Sequence, residues 1–117
     1  MITNLYYYKA TVNGVVDGDT LDLTIDLGFI IHWKSNCRLA GINAPELSAK
    51  EESIRLKANE SKQYVVDAVK VGSQVLIKSK ALDKYGRPIV DVYYGKDYAQ
   101  CLNKEMLDKG LAVVLKY

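Results

Sequence analysis

The 117-residue chain is poor in several things at once: one histidine, two cysteines, two prolines and one phenylalanine. Cys37 and Cys101 stand far apart with no CxxC pair, and a single histidine cannot complete a zinc-ligand set. A disulfide between them stays open beside the ordinary reading of two free, buried thiols. No Cys, Ser or His constellation points to a covalent intermediate. No apolar run reaches the ~20 residues of a membrane-spanning helix. Met1 to Asn4 show neither a basic region nor an apolar signal core. The expectation is a cytoplasmic protein with no membrane partner. The formal charge is only +2, so any affinity for nucleic acid must come from local groups, not from bulk basicity. Repeats, linkers and low-complexity tracts are also missing. One domain over residues 1–117, and a monomer, is expected.

What the chain has in quantity is tyrosine, nine residues. Tyrosine combines an apolar face with a polar tip, which suits half-wet surfaces and base stacking. Tyr6, Tyr7 and Tyr8 fall in a β-rich run to Val16, and read as strand packing. A bulge at Gly14 and a turn at Gly18 are expected there. Leu21, Leu23, Ile25 and Leu27 alternate with Asp22, Thr24 and Asp26, the pattern of a half-buried strand. Gly28 permits a turn, and Phe29 to Trp33 begins a return strand. Lys34, Ser35 and Asn36 read as a polar interruption before Cys37 to Ala40. His32 and Trp33 read as hairpin-tip residues without chemistry. Leu47 to Arg55 reads as a surface loop. A helix is expected from Leu56 or Ala58 to about Lys70, with Gly72 as its terminator. A short buried strand, Val75 to Ile77, precedes a polar loop from Ala81 to Gly86. Ile89 to Tyr93 is the next strand. A second helix is expected over Tyr98 to Asp108, with Leu102, Met106 and Leu107 facing inward. Leu111 to Leu115 reads as a last apolar strand. Strands, a helix, more strands and a second helix argue for α+β on a mostly antiparallel sheet or small barrel.

One stretch organises the chemistry: Arg38-Leu39-Ala40-Gly41-Ile42-Asn43-Ala44-Pro45-Glu46. Fully extended, it would hold its two end charges ~27 Å apart. Gly41 and Pro45 allow it to bend back. Arg38, Asn43 and Glu46 could then meet one small anion, joined by Asp17-Gly18-Asp19-Thr20 and Asp83-Lys84-Tyr85-Gly86-Arg87. Any one of these blocks alone is an ordinary turn or solvated charge.

In this order and spacing the three blocks resemble those of the staphylococcal nuclease (thermonuclease) family. Gly110-Leu111-Ala112 is similar to its closing block, and the resemblance covers nearly the whole chain. It implies an OB-fold: a five-stranded, mostly antiparallel β-barrel with about two packed helices. It further implies a metal-dependent nuclease acting on DNA and RNA, with calcium as the metal. Arg38 and Arg87 match the family's phosphate-binding arginines and Glu46 its catalytic glutamate. Lys84 and Tyr85 match residues that touch a nucleotide phosphate. Asp19 matches a calcium-ligand aspartate, Asn43 a second ligand position, and Ala44 a position whose backbone carbonyl binds the metal.

The residues support such chemistry in their own right. Phosphodiester hydrolysis requires neutralising an anion, activating water and stabilising a more highly charged transition state. Arginine's permanently charged fork suits phosphate. A glutamate can orient water or take its proton. A hard cation held by oxygens can lower the pKa of a bound water. Direct in-line attack by water, with single strands preferred, is the resulting expectation; a non-catalytic OB-fold module binding nucleic acid or protein is the alternative. Three features depart from the family pattern. Asn43 stands where a carboxylate is expected, the segment from Asp26 to Cys37 is longer, and only Lys116 and Tyr117 follow the last strand.

Overall fold

A computed structural model describes residues 5–115 of the chain. Three strands come first: β1 (Tyr7–Asp17), β2 (Thr20–Asp26) and β3 (His32–Leu39). After β4 (Ile42–Asn43) come helix α1 (Glu52–Ala68), β5 (Gln74–Leu82) and β6 (Pro88–Tyr94). A 3₁₀ turn (Lys96–Tyr98), β7 (Gln100–Cys101), α2 (Leu102–Asp108) and β8 (Val113–Val114) complete the described residues. The main sheet runs β3-β2-β1-β5-β6-β7, and every pairing along that order is antiparallel. A further parallel pairing, Arg38 opposite Ile89 and Leu39 opposite Val90, joins β3 to β6. The five long strands therefore close into a barrel, the OB-type α+β architecture expected.

Alternation in the sequence sets the barrel's inside. Leu21, Leu23 and Ile25 of β2 point inward with Val12, Leu39, Val75, Ile77, Val90 and Val92. Each fully buried side chain of this size contributes roughly 1.5–3 kcal/mol. Helix α1 covers one opening with Ala58, Ser61 and Val65, and α2 contributes Leu102 and Met106. Leu27, expected to continue the inward row, is exposed because the β2–β3 turn begins beside it.

Several boundaries differ from expectation. Lys34, Ser35 and Asn36 do not interrupt β3, because residues 32–38 pair one to one with β2. Cross-strand bonding overrides their polar character, since their side chains can face solvent. Helix α1 starts at Glu52, before the expected Leu56. Its first turns are mostly exposed, so no apolar stripe announces them. Strand β5 runs past Ile77 to Leu82, carrying polar Ser79 and Lys80 along an exposed stretch. Helix α2 is shorter than expected. Asp97 and Tyr98 adopt positive φ, and Gln100–Cys101 pairs with β6 before the helix starts. The last strand is only Val113–Val114, and it pairs with β4 outside the barrel. Lys116 and Tyr117 lie outside the described residues. The two cysteines are free thiols, Cys37 buried and Cys101 half-buried.

Two groups lock the end of the barrel where the functional blocks lie. Asn103 of α2 accepts the Val92 N–H at 2.9 Å and donates to the carbonyls of Ala40 (3.0 Å) and Val90 (3.1 Å). One buried amide thereby ties α2 to both strands of the parallel pair. Gly18 fills a position with no room for a side chain. A Cβ there would lie 2.8 Å from Ser61 Cβ and 2.9 Å from Ala44 Cβ. The β1–β2 turn, α1 and the segment after β4 meet at that point. Gly18→Ala should lower unfolding stability by about 1–3 kcal/mol through overpacking. Urea denaturation of both proteins checks this, and equal midpoints would mean that the three segments give way freely.

Candidate active site

The three sequence blocks converge. A cleft of about 400 Å³ is lined by Asp17, Asp19 and Thr20 from the first block and Arg38 from β3. Asn43 to Glu46 and the Lys84, Tyr85 and Arg87 side of the β5–β6 turn complete it. The parallel pairing accounts for this. By placing Arg38 beside Ile89, it sets the end of β3 next to the turn that carries Arg87.

Asp19 is the most constrained group. It is 5% exposed, and both its oxygens are engaged. Oδ1 lies 2.6 Å from Arg38 Nη1 and accepts the Thr20 hydroxyl at 3.0 Å. Oδ2 accepts the Ala44 N–H at 2.9 Å. Burial opposes the charge on Asp19. Sharing with Asp17, the Ala44 N–H and the Arg38 guanidinium outweigh that, and hold the carboxyl below its ordinary range. Asp17 shows the converse. Burial, then the neighbouring Asp19, pushes its carboxyl up to about 6. Its Oδ1 accepts the Asp19 N–H at 3.0 Å. The sequence reading assigned Asp17 no role, although it opens the Asp-Gly-Asp turn.

Arg38 is tied into the protein. Beyond Asp19, its Nη2 donates to Asn43 Oδ1 at 3.0 Å and to the Ile42 carbonyl at 3.3 Å. The guanidinium thus bridges the two side chains that the resemblance marks as metal ligands. The Ala44 N–H donates to Asp19. Glu46 is exposed on the cleft wall.

The opposite wall is the turn after β5. Asp83 accepts the backbone N–H groups of Tyr85 and Arg87, each at 2.9 Å, through Oδ1. Its Oδ2 lies 2.7 Å from Arg87 Nε. Asp83 thereby fixes the turn and aims the guanidinium, a positioning role not assigned from sequence. Its small loss of hydration opposes ionisation, yet the Arg87 contacts and the Tyr85 N–H hold its carboxyl below the usual value. Gly86, at φ +80°, supplies the left-handed residue this tight turn needs. Tyr85 lies open, with Lys84 Nζ 5.2 Å and Arg87 Cζ 5.7 Å from its ring centre. Beside the cleft, and sharing Lys84 with it, a largely apolar groove of about 840 Å³ runs along Ala40, Gly41, Leu82 and Ile89.

The model of the staphylococcal nuclease homologue family matches residues 36–117. The chain belongs to this family. The match takes in Arg38, Glu46, Lys84, Tyr85 and Arg87 and leaves Asp17 and Asp19 outside its span. No curated protein matches the chain. Family membership accounts for the closed barrel and for the order of the blocks around the cleft. The fold serves nucleases and binding modules alike.

Whether the cleft suits a metal turns on its donors. Asp17, Asp19, Asn43 and Glu46 offer hard oxygens on one cleft, which fits calcium or magnesium and not zinc. Among the described residues, no three His, Cys, Asp or Glu side chains gather as a metal cluster. Arg38 already occupies the Oδ1 side of Asp19, where it competes with any cation. The donor set therefore fits a weakly held hard cation in competition with a guanidinium.

Asp17 yields a test. Its pKa in the folded protein lies above the ordinary 3.8. The fold therefore prefers the protonated carboxyl, and stability is lost as pH rises from about 4 through about 6. Asp17→Asn keeps the acceptor oxygen for Asp19 N–H and removes the titration. In metal-free buffer it should flatten that decline and raise the melting temperature at pH 7. A steeper decline in the variant would contradict the assignment.

Proposed function

We propose that the chain is a nuclease, hydrolysing phosphodiester bonds of DNA and RNA by in-line attack of water. The observation that carries this is the meeting of Arg38, Lys84, Arg87, Glu46 and Asp19 on one cleft. Arg87 and Lys84 would neutralise the phosphate. Arg87 is held for the task by Asp83, so little reorganisation is required when charge develops. Arg38 has N–H donors beyond those already used, and can turn them to a phosphate once Asp19 has another counter-charge. Exposed Glu46 would hold or deprotonate the attacking water. Calcium, held by Asp19 with Asn43 and the Ala44 carbonyl as further oxygen ligands, would supply charge neutralisation and acidify water when bound.

Single strands suit this surface better than duplex. Tyr85 presents an exposed ring with Lys84 and Arg87 over it, an aromatic group that could stack on a base once the cations turn to phosphate. The adjoining apolar groove has room for an unpaired base. A second reading, a binding module without turnover, draws on the neutralised state of Arg38, which already serves Asp19 and Asn43.

Cleavage of heat-denatured DNA, followed as acid-soluble product with calcium or with chelator, separates the two readings. Wild-type turnover should depend on the metal. Glu46→Gln should lower kcat by ~10²-fold or more with little change in DNA binding. Binding without metal-dependent cleavage by the wild type would leave the module reading standing.

The competition at Asp19 gives a separate expectation. Arg38→Gln removes the guanidinium from Asp19 and Asn43. Calcium affinity should then rise about tenfold, ~1.4 kcal/mol, while turnover falls. Asn43→Asp adds ligand charge but also a second partner for Arg38, so it should tighten calcium fully only in the Arg38→Gln background. Calorimetric titration of the wild type, both single variants and the double variant measures this. Unchanged affinity in Arg38→Gln would place the metal away from Asp19.

A further inference from the structure

The β2–β3 hairpin joins two different ends. At one end, Thr20 opposite Arg38 belongs to the cleft. At the other, beyond Asp26 opposite His32, the chain turns through Gly28-Phe29-Ile30-Ile31. Ile31 N–H donates to the Gly28 carbonyl at 2.9 Å, and both central residues lie at positive φ, +54° and +66°. Such a turn favours Asn-Gly; a β-branched residue at positive φ is strained. Phe29 and Ile30 are nonetheless there, 96% and 93% exposed. Ile31 is also exposed, and Leu27 and Trp33 are partly so. Sequence and conformation conflict at this turn, and bulky apolar groups face water at its apex. Folding gains nothing from either, which points to an outside contact.

We infer that this apex dips into the interfacial layer of a lipid bilayer. The apex is convex, so a fluid interface can mould around it, whereas a rigid partner would need a matching pocket. Its chemistry is also layered. The apolar residues come first, then, opposite His32, Asp26, whose carboxylate accepts the Gly28 N–H. Next comes Trp33, whose amphipathic ring suits the interface and lies along the barrel end beside Leu27 and Tyr8, then Lys34. Lys34 stands three strand steps from Ile31, about 10 Å, at the level of headgroup phosphates. Among the described residues, His32 to Cys37 pair on one side only, with β2. Lys34 in the middle of that free edge discourages strand addition by a second copy. The cleft, at Arg38, lies seven strand steps from Ile31, about 23 Å, beyond the ~8–10 Å over which an anionic surface would repel a nucleic acid at physiological salt. Such a contact is one that the sequence reading did not expect. It needs no spanning helix, and no helix among the described residues is long and apolar enough to be one.

Phe29→Asn/Ile30→Gly tests the inference, because it installs the preferred turn residues and should fold at least as stably. Trp33 is the only tryptophan, so its emission reports directly on the hairpin. On adding vesicles of phosphatidylcholine and phosphatidylserine, the wild-type emission should shift to the blue and the protein should sediment with the vesicles. The double variant should lose about tenfold or more of that partitioning and keep its cleavage rate in solution. Lys34→Glu should weaken partitioning to the mixed vesicles more than to phosphatidylcholine alone. Equal partitioning of wild type and double variant would overturn the inference. So would dimerisation in ultracentrifugation that the double variant abolishes without any vesicle effect. Loss of single-stranded DNA affinity in the double variant, again without a vesicle effect, would overturn it too.

Discussion

Two residue pairs hold the functional geometry together: Arg38 beside Ile89 and Leu39 beside Val90. All other contacts between the long strands are antiparallel and join neighbours along the sheet. This one is parallel, joins strands separated by half the chain, and turns a curved sheet into a barrel. Without it, Arg38 and Arg87 would sit at opposite edges of an open sheet. The pairing is short, and a short parallel ladder is weak by itself. Asn103 compensates by bonding, from α2, the backbone of Val90 and Val92 in β6 and of Ala40 just past β3. The α2 helix is therefore part of the site although it contributes no residue to the cleft. A second brace, Ser61 Oγ to the Leu111 carbonyl at 2.6 Å, joins α1 to the segment after α2.

The cleft assembled by that closure is electrostatically crowded. Three carboxylates and three cations line it; Arg38 pairs with Asp19 inside it, and Arg87 with Asp83, which lies outside the lining. The two pairs differ in consequence. Asp83 stands behind Arg87 and holds it without blocking its outward face. Asp19 and Asn43 hold Arg38 in the position where a cation would otherwise be needed. A phosphate and a metal entering together can each satisfy a group that the other releases. Either one entering alone leaves a buried charge without a partner, which is unfavourable in a poorly hydrated site. In the proposed nuclease, binding of metal and of substrate would depend on each other.

The distribution of strain across the molecule is also informative. Gly86 and Gly110 take positive φ where a turn and a helix end require it, and glycine does so freely. Phe29 and Ile30 do the same without that freedom, as do Tyr6, Asp97 and Tyr98 away from the cleft. The sequence thus matches local preference around the cleft and departs from it at the hairpin apex. Such departures mark places where something other than folding selects the residue.

Much of this was legible in the sequence. Alternation in β2 determined which residues enter the barrel, because a strand's side chains point alternately to its two faces. The turn residues around Gly18, Gly41 and Gly86 located the bends, and the three polar blocks named most of the groups that line the cleft. Polar stretches concealed the true ends of β3, α1 and β5, since backbone pairing and helix propagation continue through side chains that face water. What no local pattern carried was partnership. Asp17 and Asp83 are turn residues until the fold shows one beside Asp19 and the other beneath Arg87. Arg38 is a free cation on paper and a bound one in the molecule. Residue types and local conformation follow from short-range sterics and hydrophobicity, which the sequence by itself determines. Which charge neutralises which depends on distances across the parallel closure of β3 on β6, and only the tertiary structure decides those.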